Sequence, residues 1–528
     1  MFKKLLNKLQ STIAGGAIII AFFSVISKVL GLYRNRLLAS NFGAGDVLDT
    51  YFAAFKIPDL VFNILILGAL SASFIPVFVQ HWSKNHEETW RIANSVLNIL
   101  LIALIIISII LFVLAPQLTR LIAPGFDEAK QALTASLTQV MLLSVIFFTI
   151  SNVVAGILNS FRRFFAYSLA PVFYNVGIIF GILVLAPRMG SMGLAWGVVI
   201  GALLHLIVQL PTVFKVGFRY WPIIDLKHEG VRKIFKLMLP RTFGLAVNQI
   251  NQLIIVIIAS TLMAGSVAVF NFANDLQSFP ISIFGVSLAI AAFPVFSQAF
   301  TENNQSKFVS HFSKTFRRVL FLIIPASVMV LLLRAQLVRL ILGTGQFDWT
   351  DTVLTARTFG YFSISLFAQA LIPLLARSFF AKHDTKTPVI ISLISMVINI
   401  GLAYTFTRFM DIAGLGLAFS IAAIINMVLL LLVLRKRVGY LDDRKIIGSL
   451  AKIVLISLAM GGAIQWLKYL IAPVVDMQTF FGVLIQTGGA IIGGGLIYFL
   501  LSIFFKSDEI DIVRQWLLKF KKYLVRSN

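Results

Sequence analysis

The chain has no cysteine in 528 residues, so disulfides, thiol catalysis and Cys-ligated metals are excluded from the outset. Charge is scarce as well: Asp, Glu, Lys and Arg together make up 12% of the chain, about half the share of a soluble protein. The deficit is mostly acidic, 21 Asp and Glu against 45 Lys and Arg, which leaves a net charge of +24. The six histidines are scattered with no metal-ligand spacing, and Walker A, GxSxG and G-x-G-x-x-G signatures are all missing. Nucleotide-driven chemistry and the common hydrolytic sites have no place to reside. We read the chain as a non-enzyme, without cofactor or metal.

What is present is apolar: 59% of residues are hydrophobic. Runs of about 18 or more such residues recur from end to end, the signature of transmembrane helices. Backbone in lipid must satisfy its own hydrogen bonds, and the runs do not alternate as barrel strands do. The fold class expected is an all-α polytopic membrane protein of about fourteen spans, at 12–40, 48–80, 92–115, 132–159, 166–187, 191–213, 237–262, 266–298, 319–333, 352–376, 388–407, 412–434, 446–467 and 479–505. The apolar run after MFKKLLNKLQ outlasts a signal peptide, so it reads as a retained first helix.

The Lys and Arg residues then orient the chain. Seven lie within spans or at their ends (Lys28, Arg34, Arg36, Lys56, Arg241, Arg357 and Lys452) and seven in the loops opposite the N-terminus (Arg120, Lys130, Arg188, Arg334, Arg339, Arg408 and Lys468). The other 31 lie on the N-terminal side, which places both termini in the cytoplasm by the positive-inside rule. That distribution accounts for the basic balance without nucleic acid. Residues 214–236 read as an interfacial cytoplasmic linker and 506–528 as a basic amphipathic tail on the inner leaflet.

The chain also repeats itself. GAGDVLDTYFAAF…FIPVFVQ, from Gly43 to Gln80, is echoed by MAGSVAVFNFANDL…AFPVFSQ, from Met263 to Gln298. MGLAWGVVIGALLHLIVQL from Met192 is echoed from Leu415, and ILNSFRRFFAYSLAP by LARSFFAKHDTKTP. The offset equals six spans, an even number, so the halves share one topology. The plan is an N-lobe at 1–213, a C-lobe at 237–440, a central cavity between them, and two extra helices within 441–505.

Charges inside spans are costly and line pathways in membrane proteins. On the second span Asp49, Lys56, Asp59 and Asn63 project within about 80° of one another on a continuous helix, with Pro58 as a kink point. On the eighth, Asn271, Asn274, Asp275, Ser278 and Ser282 share a face beside Pro280. On the seventh, Arg241, Asn248 and Gln252 do the same. With Lys28, Arg34 and Arg36 added, the cavity reading sets three acids, Asp49, Asp59 and Asp275, against four bases, Lys28, Arg34, Arg36 and Lys56, which suits an anionic head group gripped by Arg34 in bidentate fashion. Arg36 equally suits snorkelling to the surface, and Lys56 with Asp59 suits an i, i+3 pair that holds a kinked helix. The glycine runs Gly461–Gly462 and Gly493–Gly494–Gly495 suit close helix packing.

Residues 27–78, SKVLGLYRNRLLASNFGAGDVLDTYFAAFKIPDLVFNILILGALSASFIPVF, together with APGF at 123–126, ILNSF at 157–161 and DTKTPV at 384–389, resemble the MurJ/MviN lipid II flippase family. The resemblance implies the multidrug/oligosaccharidyl-lipid/polysaccharide exporter fold. It also implies flipping of lipid II, an undecaprenyl-diphosphate-linked peptidoglycan precursor, from the inner to the outer leaflet by alternating access during cell-wall synthesis. The implied partners are this lipid-linked anionic substrate and bacterial membrane lipids, for a protein acting as a monomer. A coupling ion or the membrane potential would supply the energy. Arg34 and Asp49 match residues of the family pattern, and Lys28 stands where many members have Arg. The chain departs from the pattern at Phe62 and Leu67, and at Asp275, where many members carry Arg. A polysaccharide-lipid or multidrug exporter of the same fold is the alternative reading.

Overall fold

In the computed structural model, residues 13–64 and 69–511 are described; the N-terminal lysines Lys3, Lys4 and Lys8, Leu67 and the tail beyond 511 lie outside the described residues. The chain divides into two units, 1–268 with 344–347 and 269–343 with 348–528. Among the described residues there is no strand. Ten helices are long and apolar enough to cross a membrane, eleven when the bent pair 349–363 and 366–381 counts as one. The other three expected spans, the first, second and seventh, coincide with helices that fall outside those eleven, and they are the ones that carry most of the candidate charges.

Unit 1 begins with α1 (Ile13–Phe42), α2 (Asp46–Ala54), α3 (Lys56–Phe62) and α4 (Ala69–Trp82). The second span is therefore broken at Phe55. Pro58 has no N–H for the carbonyl four residues earlier, that of Ala54, and its ring crowds that carbonyl. The Thr138 hydroxyl donates to the Ala54 oxygen instead, at 3.3 Å. A hydroxyl from a neighbouring helix thus satisfies the carbonyl that a proline leaves open in an apolar setting.

Next come α5 (His86–Ile122), α6 (Glu128–Ser160), α7 (Phe164–Phe180), a π-helical turn (Gly181–Leu185) and α8 (Ser191–Ile207). The closest helix packing in unit 1 rests on two small-residue ladders, Gly177 and Gly181 against Gly197 and Gly201. A Cβ on Gly177 would fall 2.3 Å from the Gly201 Cα, and one on Gly181 2.4 Å from the Gly197 Cα. Between helices in lipid, this close backbone approach replaces the hydrophobic effect as the source of attraction.

Within the segment expected to be interfacial, the stretch 216–228 runs outside regular structure. It follows α9 (Leu210–Lys215) and is zipped to α5 by two buried asparagines. Asn94 donates to the Arg219 carbonyl and accepts from the Trp221 N–H, at 3.0 and 2.9 Å. Asn98 donates to the carbonyls of Trp221 and Ile223, both at 2.9 Å. It ends in α10 (Glu229–Ser260), which packs on α4 and α5 within unit 1, although it was expected to open the C-lobe.

Unit 2 takes most of α11 (Ser266–Pro280), then a π-helical turn (Ile281–Val286), α12 (Ser287–Thr301), α13 (Gln305–Ile341), α14 (Trp349–Ser363), α15 (Leu366–Ala381), α16 (Lys386–Met410) and α17 (Ile412–Val438). The two extra helices follow as α18 (Asp443–Ile471) and α19 (Phe480–Phe504). The internal repeat is legible in the elements themselves. α5 and α13 are each 37 residues long, each carries an internal proline and each is capped by an asparagine, Asn85 and Asn304. Of the glycine runs, Gly493 and Gly494 let α19 close on α18, where added Cβ atoms would fall 2.4 Å from Leu467 and Ile464 side-chain atoms; Gly462 faces open space.

Asp384, from the DTKTPV stretch, ties α15, α16 and α17 together. It accepts from the Thr387 N–H at 3.0 Å and hydroxyl at 2.6 Å, and it pairs with Arg437. Partial burial pushes its carboxyl up, but the Thr387 and Arg437 contacts outweigh burial and hold it below its ordinary 3.8. A depressed carboxylate contributes stability above its unfolded value and loses it as pH falls through the folded one. The gap in melting temperature between wild type and Asp384→Asn should therefore be constant from neutral pH to about pH 5 and narrow only in stronger acid. A gap that closed before about pH 5 would have the wrong sign for this origin.

Candidate functional site

Unit 1 gathers the opening stretch. Arg34, half-buried on α1, donates through Nε and Nη2 to the Asn35 side-chain oxygen at 3.2 and 3.0 Å, and through Nη1 to that of Asn175 at 3.3 Å. Asn175 on α7 is itself held, its amide donating to the Pro171 carbonyl at 3.0 Å and to the Ser27 carbonyl at 3.2 Å. Three of the Arg34 contacts are thus to amide oxygens, which help fix the direction of the guanidinium. Through Asn175, α1 and α7 converge on one polar cluster.

Asp49 has a different surrounding from the one expected of a water-facing stripe. It is 2% exposed. Its two carboxylate oxygens accept the N–H groups of Gly265 and Ala268, at 2.7 and 2.9 Å. These are orphan donors at the start of α11, where the helix dipole favours an anion. Gly265 is required for this approach: its φ is +87°, and a Cβ there would fall 1.8 Å from the Ala44 carbonyl oxygen. The APGF stretch buttresses the same end of unit 1. A Cβ on Gly125 would fall 2.2 Å from the Ser260 carbonyl oxygen, and Lys130 pairs with Asp46 at 2.5 Å.

At Phe55 the helix hydrogen bonding is interrupted while the backbone stays helical (φ −64°, ψ −25°), and Lys56, Asp59 and Asn63 follow Asp49 across it. Lys56 and Asp59 are half-buried on α3, and the Asn63 amide donates to the Asp59 carbonyl at 2.8 Å. Lys28 and Arg36 are half-buried on α1. Arg241 and Asn248 both lie on α10; Asn248 is exposed, and the Arg241 side chain is outside the described residues.

In unit 2 the stripe on α11 keeps one face. Asn271, Asn274 and Asp275 are half-buried, while Phe272, Ala273, Leu276 and Gln277 between them are buried. Behind it runs a hydrogen-bond chain. Gln277 donates to Asn274 at 3.0 Å, Gln369 donates to Gln277 at 2.8 Å and to Ser365 at 2.9 Å, and Ser365 meets Ser420 at 2.9 Å. It crosses the 48° bend between α14 and α15 and fixes the stripe to α17.

Sequence reasoning missed the holders: Asn35, Asn175, Thr138, Gly265 and Gln369. Single polar residues in apolar helices carry no periodic signal. Gly265 alone had one, since it stands in the repeat where Gly45 stands in the first half.

All-helical among the described residues, with ten or eleven helices long and apolar enough to cross a membrane, the chain has the build of a multi-pass membrane protein. A solved MATE-family multidrug transporter of the MOP superfamily, inward-facing, has the same fold at TM-score 0.70 and 17% identity, covering 81% of this chain and 99% of its own. A solved lipid II flippase MurJ, in an inward closed conformation, matches at TM-score 0.78 and 26% identity over 93% of this chain and 99% of its own. The family model described as lipid II flippase MurJ matches residues 38–485, so the chain belongs to that family. Among curated relatives, the lipid II flippase MurJ of Burkholderia cenocepacia is 30% identical over 84% of this chain and 88% of its own. The probable lipid II flippase MurJ of Vibrio cholerae is 31% identical over 85% and 88%.

Proposed function

We infer that this protein flips lipid II, the diphosphate-linked peptidoglycan precursor, from the inner to the outer leaflet of a bacterial cell membrane, with both termini cytoplasmic. The observation that carries the reading is the family match across residues 38–485, which takes in α2, α3, α10 and α11 whole and so most of the candidate charges. In this reading Arg34, with Lys28 and Lys56, meets the diphosphate, and the polar face of α11 meets the rest of the head group. Asp49 holds the framework. The multidrug-transporter likeness stands at 17% identity and speaks for the fold alone.

Movement of the anionic head draws on the membrane potential or a coupling ion rather than a nucleotide. An inside-negative potential favours outward transfer by about 2.3 kcal/mol per charge per 100 mV. The test is depletion of the protein in spheroplasts of its host, with the leaflet distribution of lipid II as the readout. Lipid II should become trapped in the inner leaflet, re-expression should release it, and collapsing the potential at fixed pH should slow that release. An unchanged distribution on depletion would rule the assignment out.

A further inference from the structure

Unit 2 holds a second cationic site outside the residues discussed above. The last turns of α13 and the length of α14 enclose an open cavity of 550 Å³ lined by Arg334, Arg357, Trp349, Tyr361, Val353 and Ile364, among others, and by no Asp or Glu. Both arginines are exposed, and among the described residues neither forms an ion pair with a carboxylate. The one hydrogen bond of Arg334 is local, from Nη1 to the Leu331 carbonyl at 2.6 Å.

Two like charges sharing a cavity repel, and more strongly where apolar surface lowers the local dielectric. Yet the chain builds this pairing. Gly360, one turn from Arg357 on the same face, is the floor across which the Arg334 stem lies; a Cβ there would fall 2.7 Å from Arg334 Cδ. Lys468 adds a third cation nearby, donating to the Leu332 carbonyl at 2.9 Å. Only an anion offsets this clustering.

The surroundings say which anion. Val353 and Ile364 are each 45% exposed, and Trp349 is 65% exposed, so the cavity opens onto an apolar flank. Arg357 stands five residues inside the expected tenth span, about 7.5 Å along the helix axis and so near the boundary of head groups and acyl chains. Trp349 and Tyr361 supply the aromatic rings common at that level. A guanidinium binds phosphate oxygens through a planar fork. We propose that this cavity binds the phosphate of an anionic membrane phospholipid in the leaflet at that end of unit 2, with the acyl chains along Val353 and Ile364.

The test uses the full chain, purified in detergent and exposed to equal phosphatidylglycerol and phosphatidylethanolamine, with bound lipids counted by native mass spectrometry. Wild type should retain one phosphatidylglycerol more than the double variant Arg334→Gln, Arg357→Gln, and at that site prefer it about tenfold over phosphatidylethanolamine. Gly360→Leu, which keeps both charges but moves the Arg334 stem, should lose the same lipid even if the double variant does not fold. Equal retention by wild type and Gly360→Leu would overturn the proposal, as would the lack of any preference between the two lipids. So would displacement of the lipid by inorganic phosphate alone at millimolar concentration, which would mark a free-oxyanion site. Flipping activity does not enter the readout, so the site stands or falls separately from the lipid II assignment.

Discussion

Arg34→Ala should abolish rescue of a strain that lacks its own lipid II flippase, at unchanged protein abundance. The side chain is held by Asn35 and Asn175 at 3.0 to 3.3 Å through amide oxygens, contacts that aim the guanidinium. Truncating one partner of a desolvated charge pair typically costs about 2–5 kcal/mol, a loss of roughly 30-fold to several thousand-fold in affinity. Arg34→Lys should recover only part of the activity, because a point charge does not replace a bidentate fork. Asn175→Ala should fall between, since it loosens the aim and keeps the charge. Full rescue by Arg34→Ala would remove Arg34 from the head-group site.

Asp49→Ala should lower the melting temperature of the purified protein by several degrees. Its carboxylate takes up two backbone donors, Gly265 and Ala268, at a position that is 2% exposed. Each buried donor left without an acceptor costs about 1–3 kcal/mol, so about 3 kcal/mol in all is a moderate expectation. Asp49→Asn retains one acceptor oxygen and should recover about half the loss. The pair of variants separates two roles. If Asp49 positions α11, activity should track stability across wild type, Asn and Ala. An Asn variant of wild-type stability that carried no lipid II would instead place the negative charge in transport, and an Ala variant melting with wild type would deny the clamp.

These two residues also mark where sequence reading reaches its limit. Helical spans and the internal repeat were legible because they are periodic. Apolar runs have a length set by the bilayer, and duplication leaves an offset, visible again in the matching 37-residue helices behind Asn85 and Asn304. Even the break in the second span was readable in part: Pro58 announced a kink, and the missing N–H placed it at Phe55. What a projection at 100° per residue does not contain is the pair of distant backbone donors that bury Asp49, those of Gly265 and Ala268. Asp49 therefore left the stripe.

Which acceptor meets which donor has no period at all. The oxygen left by Pro58 is met by Thr138, 84 positions away in the chain, and Asp49 is answered by Gly265, 216 positions away. The sequence by itself determined that the chain crosses the membrane many times, that it is doubled, and that charges sit inside its spans. Tertiary structure alone decided that Asp49 is absorbed in holding backbone donors and that Arg34 is aimed by Asn35 and Asn175. In an apolar medium a polar atom without a partner is costly, and partners are chosen by proximity in space rather than along the chain.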